Sequence, residues 1–399
     1  MQKRELIRNY NRSTVLEIMR RKKVVFRAEL SRETGLSIPT IMKITDGFIQ
    51  HGLAVGAGRG ESSGGKPPEL LEIVPQSRLF IGMDISGTKL KCIVMDLCGD
   101  IVYQKSCYRR DLPPHFDTDT IIAYIESTIE ESGVCRDRIT GIGLSVPGRV
   151  EASNGTVITS IDYGWKNKDL RTPLEQRFNL PIFIENSSRT MAIGEKWFGK
   201  GEKTDNFALI TVGHGIGGAF IINGEIYDGF YRMSGEVGHM RIDPEGPLCK
   251  CGKRGCLETF ASGSAIKTQA MALVESNPQS AILTLAGNDK SKIDSDLVFK
   301  AAAMGDELAR SIIDNVVNYL AIGLENLISI LDFKLIVLSG YVVKGNDEFV
   351  KRVKNQINNT RQLYYGEKPI EIKVSALGEE AAVIGAATSP LRSWVSSVE

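Results

Sequence analysis

His239, Cys249, Cys251 and Cys256 fall in one short stretch between Gly238 and Glu258. One imidazole and three thiolates make a four-coordinate set of soft donors that leaves no position open for water, the composition of a structural zinc site. Gly252 and Gly255 suit the same purpose, because glycine lets the backbone turn tightly enough for three sulfurs to converge. Unrelated reduced thiols are the other reading. It is the weaker one, since three of the 7 cysteines and one of the 4 histidines are gathered here.

Two further stretches have the chemistry to hold phosphate. Residues 79–96 read as two apolar strands joined by a tight turn carrying Asp84, Ser86, Gly87 and Thr88, where backbone N–H groups could face a phosphate and Asp84 a metal-bound water. Phe207–Val212 and Gly218–Ile222 read as a second strand pair, joined through the glycine-rich run 213–217. A strand, a glycine turn and a strand is a common pattern. Its occurrence twice suggests duplicated lobes facing a cleft. Apolar helical patterns over 121–132 and 308–331, and an apolar strand over 334–338, place this body in the α/β class.

The first 75 residues read differently. Val15, Leu16, Ile18 and Met19 suit one helix, and Arg20 to Lys23 load its last turn, where cations favour the helix dipole. A second helix runs from Arg27 to Thr34 and stops at Gly35. Ser37 is a good N-cap for a third, with Pro39 in its first turn, Ile41, Ile44 and Phe48 on a buried stripe, and Gly52 at its end. Helices two and three form a helix-turn-helix that presents Ser37, Thr40 and Lys43 to a major groove. Leu53–Val55 and Leu70–Val74 then flank a glycine-rich loop with Arg59 and Lys66, a wing able to reach phosphates or a minor groove. A plain docking module followed by a linker is the competing reading.

Composition agrees with this division. A chain of 399 residues exceeds one core, and 42% apolar with 24% charged residues is ordinary for a globular protein. No apolar run is long enough to span a bilayer, and the start has no secretory h-region. Cys92, Cys98, Cys107 and Cys135 show no disulfide framework, so a reducing cytoplasm is the expected compartment. The net charge of +1 hides an asymmetry: residues 1–75 hold 13 Lys or Arg against 8 Asp or Glu, and the remainder is acidic. A basic head on an acidic body suggests that the head meets a polyanion.

The motifs taken together resemble the ROK family of repressors, open reading frames and sugar kinases. Asp84–Lys89, Val146–Gly148, Glu185–Asn186, Gly235–His239, Cys249–Glu258 and Leu377–Ala381 follow the family's order and spacing. The resemblance covers residues 79 to 390. It implies a two-lobed, actin-like (ribonuclease-H-like, hexokinase-type) body, with residues 79–190, completed by 375–399, as the first lobe and 191–374 as the second lobe with the zinc knuckle. Residues 1–75 resemble the winged helix-turn-helix of the family's transcriptional regulators, the xylose, N-acetylglucosamine and glucose-responsive repressors among them. By the same resemblance Gly148, Asn186, Ser187, Glu236, His239 and Glu258 stand where the family meets sugar hydroxyls. His239 would then serve zinc with one ring nitrogen and sugar with the other.

The chain departs from the family's kinases in ways that bear on activity. Their catalytic base is an Asp where this chain has Ser187, and a serine hydroxyl cannot accept the sugar proton at neutral pH. Ser86, His214 and Tyr341 replace smaller or different residues on the nucleotide side. The expected protein is a sugar-responsive DNA-binding regulator, a repressor and not an enzyme, with structural Zn(2+), operator DNA, a monosaccharide effector and a homodimeric or homotetrameric state as partners, and no membrane. Two other classes compete. One is an active ATP-dependent sugar kinase fused to a DNA-binding head, which Ser187 opposes; the other is a protein-docking module, which the retained Glu236, His239 and Glu258 oppose.

Overall fold

Short-range sequence signals shape the head, and one long-range pairing closes it. In the computed structural model, which describes residues 2–59, 69–86, 89–112, 116–365 and 369–398, α1 (Gln2–Lys22) leads into β1 (Val24–Phe26), α2 (Arg27–Thr34) and α3 (Ile38–Gln50). Gly35 ends α2 in the left-handed region at φ 70°, and Gly52 at φ 68° follows α3, a conformation that side chains resist. Ile41, Ile44, Thr45 and Phe48 are the buried face of α3, which packs on α1 and α2, where Val15, Leu16, Met19 and Leu30 are buried. β2 (Ala54–Arg59) and β3 (Glu69–Ile73) follow, and β3 lies between β1 and β2 with both pairings antiparallel. The first strand of this sheet has no strong local signal; Val24–Phe26 becomes a strand because β3 offers it a partner.

The basic run after α1 does structural work. Arg20 is only 2% exposed, pairs with Glu17 at 2.8 Å and donates to the Cys98 carbonyl at 3.4 Å. Lys22 pairs with Glu29 and Glu33, while Lys23 pairs with Asp100 at 2.5 Å. Of these cations only Lys23 is paired with an acid outside residues 1–75, so most of the head's excess charge remains, and the exposed pairs contribute little stability each.

Two compact units divide the chain, residues 1–190 with 382–399, and residues 191–381. The head packs in the first. There β4 (Leu79–Ile85), β5 (Lys89–Asp96), β6 (Ile101–Tyr108), β7 (Ile139–Val146) and a later strand, Ile182–Asn186, form one sheet in the order Ile182–Asn186, β7, β4, β5, β6. Gly82 and Gly143 are register partners in adjacent parallel strands. A Cβ on either would lie 2.2 Å from the Val383 carbonyl oxygen or 1.9 Å from that of Ala386. The paired glycines thus let the C-terminal helix, Ala381–Ser397, lie with its backbone on the sheet.

The second unit repeats the pattern. Its sheet runs Glu225–Ile226, Ile216–Ile222, Phe207–Val212, Leu335–Ser339, Glu371–Val374. In both sheets three neighbouring strands are parallel and two are added antiparallel. Helix Glu307–Leu331 buries Ile312, Val316, Leu320 and Leu324 in this unit's core, within an α/β architecture. The second hairpin turn is shorter than the sequence suggested. Ile216 and Gly217 already pair with Val212 and Thr211, leaving only 213–215 as turn. The unit boundary also falls at 382 rather than 375, because the buried Glu195 carboxylate accepts from Ser375 Oγ at 2.6 Å and Leu377 N at 3.0 Å. Among the described residues no helix is long and apolar enough to cross a membrane.

Candidate metal centre and sugar-facing residues

The four sequence-predicted metal ligands converge. His239 ends a short 3-10 turn, Val237–His239, which Gly238 holds against the earlier strand Ile216–Ile222; a Cβ there would sit 2.1 Å from the Ile216 carbonyl oxygen. Isolated bridges Arg241 to Cys256 and Leu248 to Arg254 fold the next residues into a knuckle, and Gly252 turns it at φ 88°. One ligand atom from each of His239, Cys249, Cys251 and Cys256 lies within 4.8 Å of all the others. His239 Nδ1 is 3.5 Å from Cys249 Sγ, and Cys251 Sγ is 3.6 Å from Cys256 Sγ. A tetrahedral ion with Zn–S bonds of about 2.3 Å requires ligand–ligand edges of roughly 3.5 to 3.8 Å, so the spacing and donor types could hold a metal.

The thiols differ in environment. The backbone N–H of Lys253 favours the thiolate of exposed Cys251 and lowers its pKa, while burial and then the neighbouring thiols push Cys256 up to about 12. A cation at the centre would replace the proton of the buried sulfur.

His239 directs its ring in two directions. Nδ1 faces the sulfurs, and Nε2 lies 3.9 Å from Glu236 Oε2 on the exposed side. Glu258 opens the helix Glu258–Ala261, with Oε2 accepting from Ile216 N at 3.0 Å and Oε1 lying 3.3 Å from Lys250 Nζ. Gly215 leaves room for this carboxylate: a Cβ there would come within 2.2 Å of Glu258 Oε2, so a larger residue would require the Glu258 side chain to move. Glu258 thus braces the very turn that the sequence suggested for phosphate.

That turn is covered from another side. Tyr341 Oη is 3.3 Å from His214 Nδ1, with the rings edge-on at 5.1 Å. The same phenol lies over Gly263, where a Cβ would come within 2.2 Å of it, and Gly263 N donates to Gly213 O at 2.7 Å. The phenol and imidazole expected to fill space are in contact.

In the first unit Asn186 Nδ2 donates to Gly148 O at 2.7 Å, and Asn186 Oδ1 accepts from Ser188 N at 2.9 Å. The amide is thereby oriented at a strand end, and Ser187 begins the following helix, Ser187–Phe198. Gly148 adopts φ 105°, and a Cβ would lie 2.2 Å from the Thr159 carbonyl oxygen. Asp84 Oδ1 accepts from Ser145 Oγ at 2.6 Å; Gly87 and Thr88 of that motif lie outside the described residues.

In the head, Ser37 caps α3 by position without a side-chain bond to the helix backbone, its hydroxyl lying 2.8 Å from Thr40 Oγ1. Lys43 is exposed. Arg59 ends β2, with its backbone opposite Glu69, and Lys66 lies outside the described residues. The sequence reading passed over Ile38 and Met42, both exposed on α3, and the link between Glu258 and Ile216, whose partners are too distant in sequence to show a local pattern.

The fold joins a head of three helices and a three-stranded sheet to a body of two α/β sheets with the same strand arrangement. The profile described as ROK family matches residues 80–390, and the chain belongs to that family. A putative xylose repressor from Caldicellulosiruptor sp. (strain Rt8B.4) is 29% identical over 381 residues, covering 95% of each chain. A glucokinase from Halalkalibacterium halodurans is 32% identical over 311 residues, covering 77% of this chain and 93% of that one. The crystal structure of a ROK family transcriptional regulator, a homolog of the E. coli MLC protein, superposes with a TM-score of 0.82 at 27% identity, covering 98% of this chain and 97% of that one.

Proposed function

We propose that this chain is a sugar-responsive transcriptional repressor that does not phosphorylate its sugar. One arrangement carries the reading: a head of three helices and a three-stranded sheet is joined to a ROK body in which Tyr341 lies against the second hairpin turn and, by the family resemblance, Ser187 takes the place of the kinases' base. The full-length similarity to a regulator and to a xylose repressor supports it. The similarity to a glucokinase favours the second reading, a kinase carrying a DNA-binding head, which Ser187 opposes.

In this reading Gly148, Asn186, Ser187, Glu236, His239 and Glu258 recognise the sugar, because paired carboxylates and amides discriminate hydroxyl patterns through the cost of leaving groups unpaired. His239, Cys249, Cys251 and Cys256 hold a structural zinc that fixes the imidazole's tautomer and direction. Ser37, Thr40, Lys43, Arg59 and Lys66 face operator DNA. A homodimer or homotetramer in the cytoplasm suits a pseudo-palindromic operator.

Titration of operator DNA with and without saturating sugar tests the reading. Sugar is expected to change operator affinity by roughly 5 to 150-fold, and operator to change sugar affinity by the same factor. Equal dissociation constants in both titrations would refute it.

Glu258 separates two roles. Glu258→Gln keeps an acceptor for the Ile216 N–H and is expected to melt near wild type while binding sugar less tightly. Glu258→Ala leaves that amide without its partner and is expected to lose about 1 to 3 kcal/mol as well. Calorimetry with monosaccharides and thermal unfolding read the two effects; unchanged sugar binding in both variants would leave Glu258 a brace and nothing more.

A further inference from the structure

Helix α3 carries apolar side chains that its own core does not use. Its buried face is Ile41, Ile44, Thr45 and Phe48, yet Ile38 and Met42 are each 43% exposed. They stand four residues apart, hence on one face, in the N-terminal half of the helix. Single exposed apolar residues on a protein surface are ordinary. A matched pair at this place is more specific, because the N-terminal residues of the second helix of a helix-turn-helix are those that meet base edges.

Two features of the groove that Pro39, Met42, Lys43, Asp46 and Gly47 line on the exposed half of α3 point to a ligand there. Gly47 sits inside α3, where glycine costs roughly 0.5 to 1 kcal/mol relative to alanine, and a Cβ there would meet nothing within 4 Å. Among the described residues no packing requires it; close approach of something from outside would. Asp46, which would repel a phosphate, is held by Arg27 of α2 at 2.5 Å, and exposed Lys43 adds positive charge between Met42 and Gly47. The charge and the missing side chain suit a nucleic-acid backbone better than an apolar protein surface.

Resting on the operator-binding reading, we infer that Ile38 and Met42 read sequence by packing against thymine C5-methyl groups in the major groove. The methyl group is the one apolar mark that a base pair presents there, so an apolar pair on this helix selects A·T pairs at fixed positions. Ser37 and Thr40, whose hydroxyls lie 2.8 Å apart, stand beside this pair at the same end of the helix.

Replacement of thymine by deoxyuridine removes only the methyl group and gives the test. A duplex is enriched from a random library by the full-length protein, and its thymines are replaced one at a time. At the contacted positions wild-type affinity is expected to fall about fourfold, the equivalent of one buried methyl group. Met42→Ala should bind the thymine and uracil duplexes equally at one such position and Ile38→Ala at a neighbouring one. Lys43→Ala should weaken both duplexes together and leave their ratio intact. Gly47→Ala should raise the melting temperature and still lose affinity for the enriched duplex. The inference is overturned, with the operator-binding reading standing, if the enriched duplex shows no thymine dependence, if Met42→Ala retains it, or if Gly47→Ala binds as wild type does. A library that enriches nothing overturns both.

Discussion

Gly255→Ala is expected to empty the metal centre although Gly255 supplies no ligand. The residue holds φ 70°, and an added Cβ would lie 1.4 Å from the Asp243 carbonyl oxygen, a backbone atom that cannot rotate away. Its carbonyl also accepts from Ile242 N at 2.8 Å, a bond that draws the segment 240–243, already bridged from Arg241 to Cys256, against the knuckle. With the backbone displaced, Cys256 and His239 no longer share one sphere, and a tetrahedral site that loses its geometry loses most of its affinity. Elemental analysis should fall from about one zinc per chain to none, as it should for Cys251→Ser, with sugar affinity falling roughly 10 to 100-fold through the lost support of His239. Gly252→Ala is the control: its φ is 88°, but its Cβ would meet nothing within 4 Å. It carries only the left-handed cost of about 1 to 2 kcal/mol and should keep the metal. Full zinc occupancy in Gly255→Ala would show that the knuckle tolerates the shift and would remove the argument from backbone contact.

The second large effect concerns phosphoryl transfer. Loss of a general base commonly costs a factor of about 10² to 10⁴ against turnover of roughly 1 to 100 s⁻¹ for kinases; with Tyr341 also against His214 of the second hairpin turn, the wild-type chain should release no measurable sugar-dependent ADP. Ser187→Asp alone should not rescue it. A restored carboxylate supplies the base, but Tyr341 and His214 remain in contact over the turn 213–215, and Glu258 still engages the Ile216 amide. A coupled assay over a panel of aldoses reads both proteins. Turnover by the wild type would favour the kinase reading, and recovery in Ser187→Asp would show that the aromatic pair does not obstruct nucleotide.

What the sequence disclosed divides by distance along the chain. The end of α2 at Gly35, the start of α3 at Ser37 and its buried stripe were legible because caps and periodicity act within one or two turns. The knuckle was legible for the same reason, its three thiols and turning glycines lying close together. β1 was not, since Val24–Phe26 acquires strand pairing only from residues 70–72. Nor was the internal use of Lys22 and Lys23, whose acids become partners only after folding. Glu258 was singled out for its place after the last cysteine, but its bond to an amide 42 residues earlier required the structure. Ile38 and Met42 were hidden by chemistry: an apolar residue on an amphipathic helix is read first as core, and only exposure separates the two cases.

The return of residues 382–399 to the unit that begins the chain has a consequence for synthesis. The strands bearing Gly82 and Gly143 emerge from the ribosome early, yet the helix whose backbone they are shaped to receive is made only after residues 191–381. Until then the apolar face of that sheet has no cover, and such long-range closure is slow. The inserted unit has its strands in one continuous stretch and can complete its core first. The head, which shares the early unit, therefore sits on a foundation finished last. A nascent or prematurely terminated chain would lack that foundation, so the head would gain its full support only together with the completed body.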